Sequence, residues 1–335
     1  MNKITLTSPL DMHLHLRDGQ MLEKVAPHSA KHLSGALIMP NLVPPVTSKE
    51  AVVEYKKRIL DACGHKHFEP YMTLFFKDSY DKAFLQEVKD EILAIKLYPS
   101  GITTNSEGGA SELGVEALET TLNAMSELGI PLCVHGESNG FVMDREKEFA
   151  PIYEALASHF PKLKIIMEHI TDKTSVELLE KHDNLYATIT LHHLLITLDD
   201  VAGGMLKPHL FCKPIAKREE DRQALLQAAF TSPKVMFGSD SAPHPVEKKE
   251  SCGCAAGVFS APIALEKLTE LFDEHDKLDS LQDFVSTRAV QIYGITPPQK
   301  TVVLEKTPFT VAHDCDGVVP FCGDESIAWS VVSVS

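Results

Sequence analysis

The sequence predicts an α/β fold: a single (β/α)8 barrel with a short C-terminal extension. Three observations carry that prediction. Short apolar runs of strand length recur along the chain and alternate with stretches of helical periodicity. Polar residues of metal-binding type stand just past several of those runs, where a barrel gathers its chemistry. No Gly-rich phosphate turn follows the first run, which argues against an open doubly wound sheet.

The expected strands begin with residues 4–6 leading to 12–16. Residues 36–39, 71–76, 92–97, 131–134, 163–167, 185–189 and 235–237 follow, each rich in Ile, Leu, Val or aromatic side chains. Between them the spacing predicts helices. Thr47-Ser48-Lys49-Glu50 reads as a capping box before AVVEYKKRIL, and Thr174-Ser175-Val176-Glu177 repeats that signal. Residues 112–128, 219–230, 262–274 and 281–293 also have helical character, and residues 301–335 look extended and Pro-interrupted. Alternating strands and helices imply a parallel sheet, and eight such units close most naturally into a barrel. With no linker, residues 1–335 read as one domain.

Bulk composition narrows the function. The chain has 335 residues, of which 44% are hydrophobic and 24% charged, ordinary for a globular protein. A formal net charge of −15 disfavours nucleic acid, which needs a basic face, but leaves room for a small anionic substrate. No run approaches the ~18 apolar residues of a membrane span. MNKITLTSPLDMHLHLRDG has no apolar signal core, so the expected compartment is the cytoplasm. Seven cysteines fit reduced thiols better than a disulfide framework, although Cys252 and Cys254 are close enough to be read as a metal pair.

The sixteen histidines matter through their placement. The first barrel strand ends in His13-Leu14-His15-Leu16-Arg17-Asp18, and residues two apart on a strand share a face. Alone, such a pair reads first as two partly buried histidines without a ligand. Further strand ends add His135 in CVHGE, His169 in IIMEHIT, and Asp240 with His244 in FGSDSAPH. Together they read as a metal site. Lys96 stands between Ile95 and Leu97 at the end of the fourth run. A lysine snorkelling at the rim is one reading. The other is a desolvated neutral amine that adds CO2 to become a carbamate (N6-carboxylysine), an anion able to bridge two cations.

In this combination and order, HLHLRDG, IMPN, KLYPSGITTN, VHGE, EHIT, ATIT and GSDSAPH…KESCGCA resemble the amidohydrolase superfamily and, more narrowly, its single-domain bacterial dihydroorotases. The resemblance spans residues 10–265. It implies two metal ions, zinc first, with manganese or cobalt as alternatives. His13, His15, Asp240 and carbamylated Lys96 would hold one, and His135 and His169 the other, with Lys96 bridging. A hydroxide shared by the metals would be the nucleophile and Asp240 the general acid/base. The implied reaction is the reversible cyclisation of N-carbamoyl-L-aspartate to L-dihydroorotate in pyrimidine biosynthesis. Arg17, Asn41 and His244 would bind the substrate carboxylate, and Ala255 would meet the ring through its backbone. Thr103 and Thr104 would sit on a mobile lid, residues 100–109, whose glycines and small polar residues offer little apolar area to hold it closed. A homodimer is implied by the same resemblance.

The chain departs from that pattern in places. Lys213, which the resemblance places among the substrate-binding residues, stands where the family commonly has an apolar residue beside a backbone contact to the ring, and Leu191 and His192 stand where proline and glutamine are usual. Two rival functions remain. A hydantoinase or dihydropyrimidinase generally carries a small β-sandwich built from both chain ends, and the twelve residues before His13 leave no room for its N-terminal half. A non-catalytic homologue that only binds a partner usually loses ligands, and every expected ligand is present.

Overall fold

The structure, a computed structural model, describes residues 2–64 and 67–335. Eight parallel strands form one sheet, each bonded to the next in chain order. They are β1 (Leu10–Leu14), β2 (Gly35–Ile38), β3 (Glu69–Phe75), β4 (Ala94–Leu97), β5 (Leu132–Val134), β6 (Ile165–Met167), β7 (Leu185–Ile189) and β8 (Val235–Phe237). Hydrogen bonds just past β1 and β8 close the sheet into a barrel. Asp240 N donates to His13 O at 2.8 Å and His15 N to Ser241 O at 3.2 Å, with a parallel bridge between Leu14 and Ser241. The Asp11 carboxylate reinforces the seam by accepting from Ser239 N at 2.7 Å and from His13 N at 3.1 Å.

The apolar runs divide into two cores. Leu10, Met12, Leu37, Ala94, Cys133, Ile166 and Met236 fill the barrel interior with Ala289, Ile292 and Tyr293 from the helix Arg288–Tyr293. Ile38, Ile95, Leu97, Leu132 and Val134 face outward into the larger layer beneath the helices. Burial on both faces explains why the strands read as unbroken apolar runs rather than as an alternation. The period of two also aims the polar residues. On β4, Ala94 is interior while Ile95 and Leu97 are exterior, so Lys96 points inside. On β1 the register shifts between Asp11 and Leu14. Met12 is interior and Leu14 exterior, and this irregularity turns His13 and His15 inward.

Several element boundaries differ from expectation. Residues 4–6 do not run into the first barrel strand. They belong to a separate strand, Lys3–Thr7, paired antiparallel with Thr301–Glu305, which pairs in turn with Ser330–Val334. Both chain ends therefore do meet in a small sheet, and the short N-terminus supplies one strand of it. The helix Lys49–Cys63 is capped one residue later than the box at Thr47 predicts, by Ser48, which accepts from Ala51 N. The box at Thr174 is not used: Asp172 accepts from Ser175 N, and the helix Lys173–Lys181 already contains Thr174. An aspartate at that position caps as well as a threonine, so the helix begins at the earlier of the two signals.

Leu6 is fully buried in the outer core. Leu6→Ala should destabilise the chain by about 2–5 kcal/mol, the usual result of emptying a buried leucine site. Thermal unfolding checks it, and an unchanged Tm would show that the terminal sheet does not support the barrel.

Candidate metal centre

The strand ends bring two sets of donors together inside the barrel mouth. His13 Nε2 lies 3.3 Å from His15 Nε2. Asp240 Oδ1 lies 3.0 Å from His15 Nε2 and 3.5 Å from His13 Nε2. Across from them His135 Nδ1 is 3.1 Å from His169 Nε2, and the rings of His13 and His169 are 4.8 Å apart. All these side chains are buried. His169 and Asp240 have φ of 42° and 43°, in the left-handed region that non-glycine residues rarely adopt. The chain turns sharply there to aim each side chain inward, and such strain persists where surrounding structure enforces it.

Two carboxylates set the orientation of the imidazoles. Glu168 Oε2 is 2.7 Å from His13 Nδ1, and Glu137 Oε2 is 2.7 Å from His135 Nε2. Each ring nitrogen facing a carboxylate takes the proton, which leaves a lone pair on the nitrogen facing the centre. Sequence reasoning assigned no role to either glutamate, though both stand in the quoted motifs: Glu168 precedes His169 in EHIT and Glu137 follows Gly136 in VHGE.

Lys96 is fully buried, and its Nζ has no hydrogen-bond partner. Burial, the largest influence, holds its amine below the ordinary lysine value against the opposing pull of Glu168. Burial likewise pushes His15 down to about 4 and His169 well below its usual value, so both are neutral near pH 7. For Asp240, burial raises the carboxyl pKa, but the hydrogen bond from His15 and the neighbouring imidazoles outweigh it and keep the group ionised. Neutral imidazoles, an ionised carboxylate and a lone amine form a donor set that fits divalent metal ions. His13, His15 and Asp240 have donor atoms within 4.8 Å of one another.

The pocket above these donors gathers most of the expected substrate residues: Arg17, Asn41, Thr103, Thr104 and Lys213 all line it, as do Tyr98 and Ala242. Arg17 does not pair with its neighbour Asp18, which is held by Arg58 at 2.9 Å. Its guanidinium instead reaches His244 Nε2 at 3.0 Å and Pro243 O at 3.2 Å. Ala255 does not line the pocket. Its carbonyl accepts from Lys249 Nζ at 2.8 Å, and the lining backbone belongs to Ala256 and Gly257. Gly257 has φ of 153°, and a Cβ there would lie 2.3 Å from Ala242 O, so only glycine fits the wall. Cys252 is exposed, and among the described residues it and Cys254 join no metal-type group.

The segment 100–109 borders the pocket through Thr103 and Thr104 and is held by polar ties that composition does not reveal. Asn41 Nδ2 donates to Thr104 O at 3.0 Å, Asn105 Nδ2 to Asn41 O at 3.0 Å, and Lys213 Nζ to Ile102 O at 2.9 Å. Two expected substrate residues, Asn41 and Lys213, thus hold this segment as well as lining the pocket. The unusual lysine at position 213 gains a definite contact that an apolar side chain would lack.

Glu168→Gln keeps the size of the side chain but removes the charge that orients His13. Metal affinity should fall about 10–100-fold, the usual effect of losing such an outer partner. Competition with a chelator measures it, and unaltered affinity would contradict the orienting role.

Comparison with known proteins agrees with this geometry. The pattern of the amidohydrolase family matches residues 8–298. A dihydroorotase from Helicobacter hepaticus is 46% identical over 335 residues, covering 98% of this chain and 97% of that protein. The crystal structure of a dihydroorotase from Campylobacter jejuni superposes with a TM-score of 0.94 at 56% identity, covering 99% of this chain and 98% of that one. A dihydroorotase from Saccharomyces cerevisiae, solved in complex with 5-fluoroorotic acid, superposes with a TM-score of 0.93 at 34% identity and the same coverage. The chain belongs to the amidohydrolase family and, within it, to the dihydroorotases.

Proposed function

We propose that this chain catalyses the reversible closure of N-carbamoyl-L-aspartate to L-dihydroorotate, a step of pyrimidine biosynthesis. The observation that carries the reading is one small pocket with the metal-type donors on its floor and Arg17 in its wall. A cyclic amide bearing a carboxylate needs both. The planar guanidinium fork of Arg17 suits a carboxylate, and His244 stands beside it as a second partner.

Two divalent ions, zinc in the first instance or manganese or cobalt, would be held by His13, His15 and Asp240 and by His135 and His169. When bound, they supply the Lewis acidity that activates water and polarises the amide carbonyl. Lys96 supports a bridging role. Its buried amine, with no hydrogen-bond partner, can add CO2 and release a proton, becoming a carbamate with two oxygens. Asp240, held ionised, is suited to take a proton from the attacking water and return it to the leaving amide nitrogen. Thr103 and Thr104, on the closed lid, keep bulk water from the reacting atoms. No described helix is long and apolar enough to cross a membrane. In this reading the enzyme works as a homodimer in the cytoplasm, as the family resemblance implies.

Asp240→Asn should slow turnover roughly 10²–10⁴-fold, the range for general acid–base catalysis, with partial loss of metal. A near-normal rate with an unaltered pH profile would rule out the proton shuttle.

Arg17→Met should lower kcat/KM for dihydroorotate by about 10–100-fold or more, as expected for losing charge-assisted hydrogen bonds, while metal content stays intact. The unmodified chain should also turn over a dihydropyrimidine lacking the carboxylate poorly. Equal turnover of the two compounds would point instead to a hydantoinase or dihydropyrimidinase. Turnover of neither by the metal-loaded chain would point to a non-catalytic homologue.

A further inference from the structure

A second cluster of metal-type donors lies beyond the proposed reaction. His192 and His193 belong to the short helix Leu191–Leu195 after β7, and Cys212 stands in the loop before Lys213 and Pro214. All three side chains are buried, and their donor atoms lie within 4.8 Å of one another. His193 Nε2, Cys212 Sγ and Pro214 O form a triangle. Its edges are 3.4 Å from nitrogen to sulfur, 3.0 Å from nitrogen to oxygen and 3.3 Å from sulfur to oxygen. The Thr190 hydroxyl, 2.9 Å from His193 Nδ1, fixes that ring with Nε2 toward the triangle.

His192 completes the cluster. Its ring lies 4.4 Å from that of His193, and neither of its nitrogens has a hydrogen-bond partner. A buried imidazole ordinarily satisfies its nitrogens. Burial holds this ring neutral, with its pKa pushed down to about 4, so it offers a lone pair rather than a charge. His192 is also one of the positions where this chain departs from the family pattern. A tetrahedral zinc ion with N and S ligands at ~2.0–2.3 Å places neighbouring donors roughly 3.3–3.6 Å apart, close to the edges of the triangle.

We propose that His192, His193 and Cys212, with Pro214 O at the fourth corner, hold a structural zinc ion separate from the catalytic centre. Binding would take the proton from the Cys212 thiol and release it to solvent, leaving a thiolate on the metal. The ion would fasten the segment after β7 to the loop carrying Lys213. That lysine grips the lid through Ile102 O, so the site would brace the lid's anchor.

The test uses the full chain loaded with cobalt(II). The catalytic donor set contains no sulfur, so thiolate-to-cobalt charge-transfer absorption reports on a cysteine site whatever happens at the other centre. The band should appear in the unaltered chain, persist in a Cys252→Ser/Cys254→Ser double variant, and vanish in Cys212→Ser. His192 makes no hydrogen bond, so His192→Gln should fold and bind one metal equivalent fewer per chain by elemental analysis. No band in the unaltered chain, a band surviving in Cys212→Ser, or full metal content in His192→Gln would overturn the proposal.

Discussion

Lys96 lies on β4 with no exposed surface and no hydrogen-bond partner for its amine, and the barrel is closed around it. A charged ammonium in that position would forgo hydration worth several kcal/mol without a paired anion in contact. Burial favours the neutral amine, and the carbamate proposed above is the anion that amine can become beside divalent cations. The neutral rings of His15 and His169, the carboxylates behind His13 and His135, and the ionised Asp240 are gathered around one centre. Lys96 Nζ, His169 Nδ1 and Glu168 Oε1 are buried there without a hydrogen-bond partner.

The same residues hold the fold together. The seam between β1 and β8 is bonded through the backbones of His13, His15, Asp240 and Ser241. The irregularity in β1 that turns both histidines inward lies at this seam, as does the left-handed turn at Asp240. Residues in such conformations carry strain of about 1–3 kcal/mol each, which the Asp11 bonds to Ser239 and His13 help to offset. Closing the barrel and bringing these donor side chains together are therefore one structural event.

The strand order and the gathering of these donor side chains at one barrel mouth were legible in sequence because both follow from local pattern. Buried parallel strands read as apolar runs, and a ligand placed just past a run is visible by position alone. Other features depend on contacts between distant segments. The terminal strand Lys3–Thr7 found its partners some three hundred residues away, and run length could not separate it from β1. Glu168 and Glu137 were in plain view, but their roles depend on which ring nitrogen each one faces. The ties of segment 100–109 to Asn41 and Lys213 join loops from three strands, so composition suggested only mobility. His192 registered as an oddity, and only its placement beside Cys212 gave the oddity a chemical sense.

The claim on which the account rests is that Lys96 becomes an anion. Metal-loaded, active protein exchanged into ¹³C-labelled bicarbonate should show one carbamate carbon resonance per chain by NMR, absent from Lys96→Ala. A fully active, metal-loaded chain with no such resonance would contradict the account.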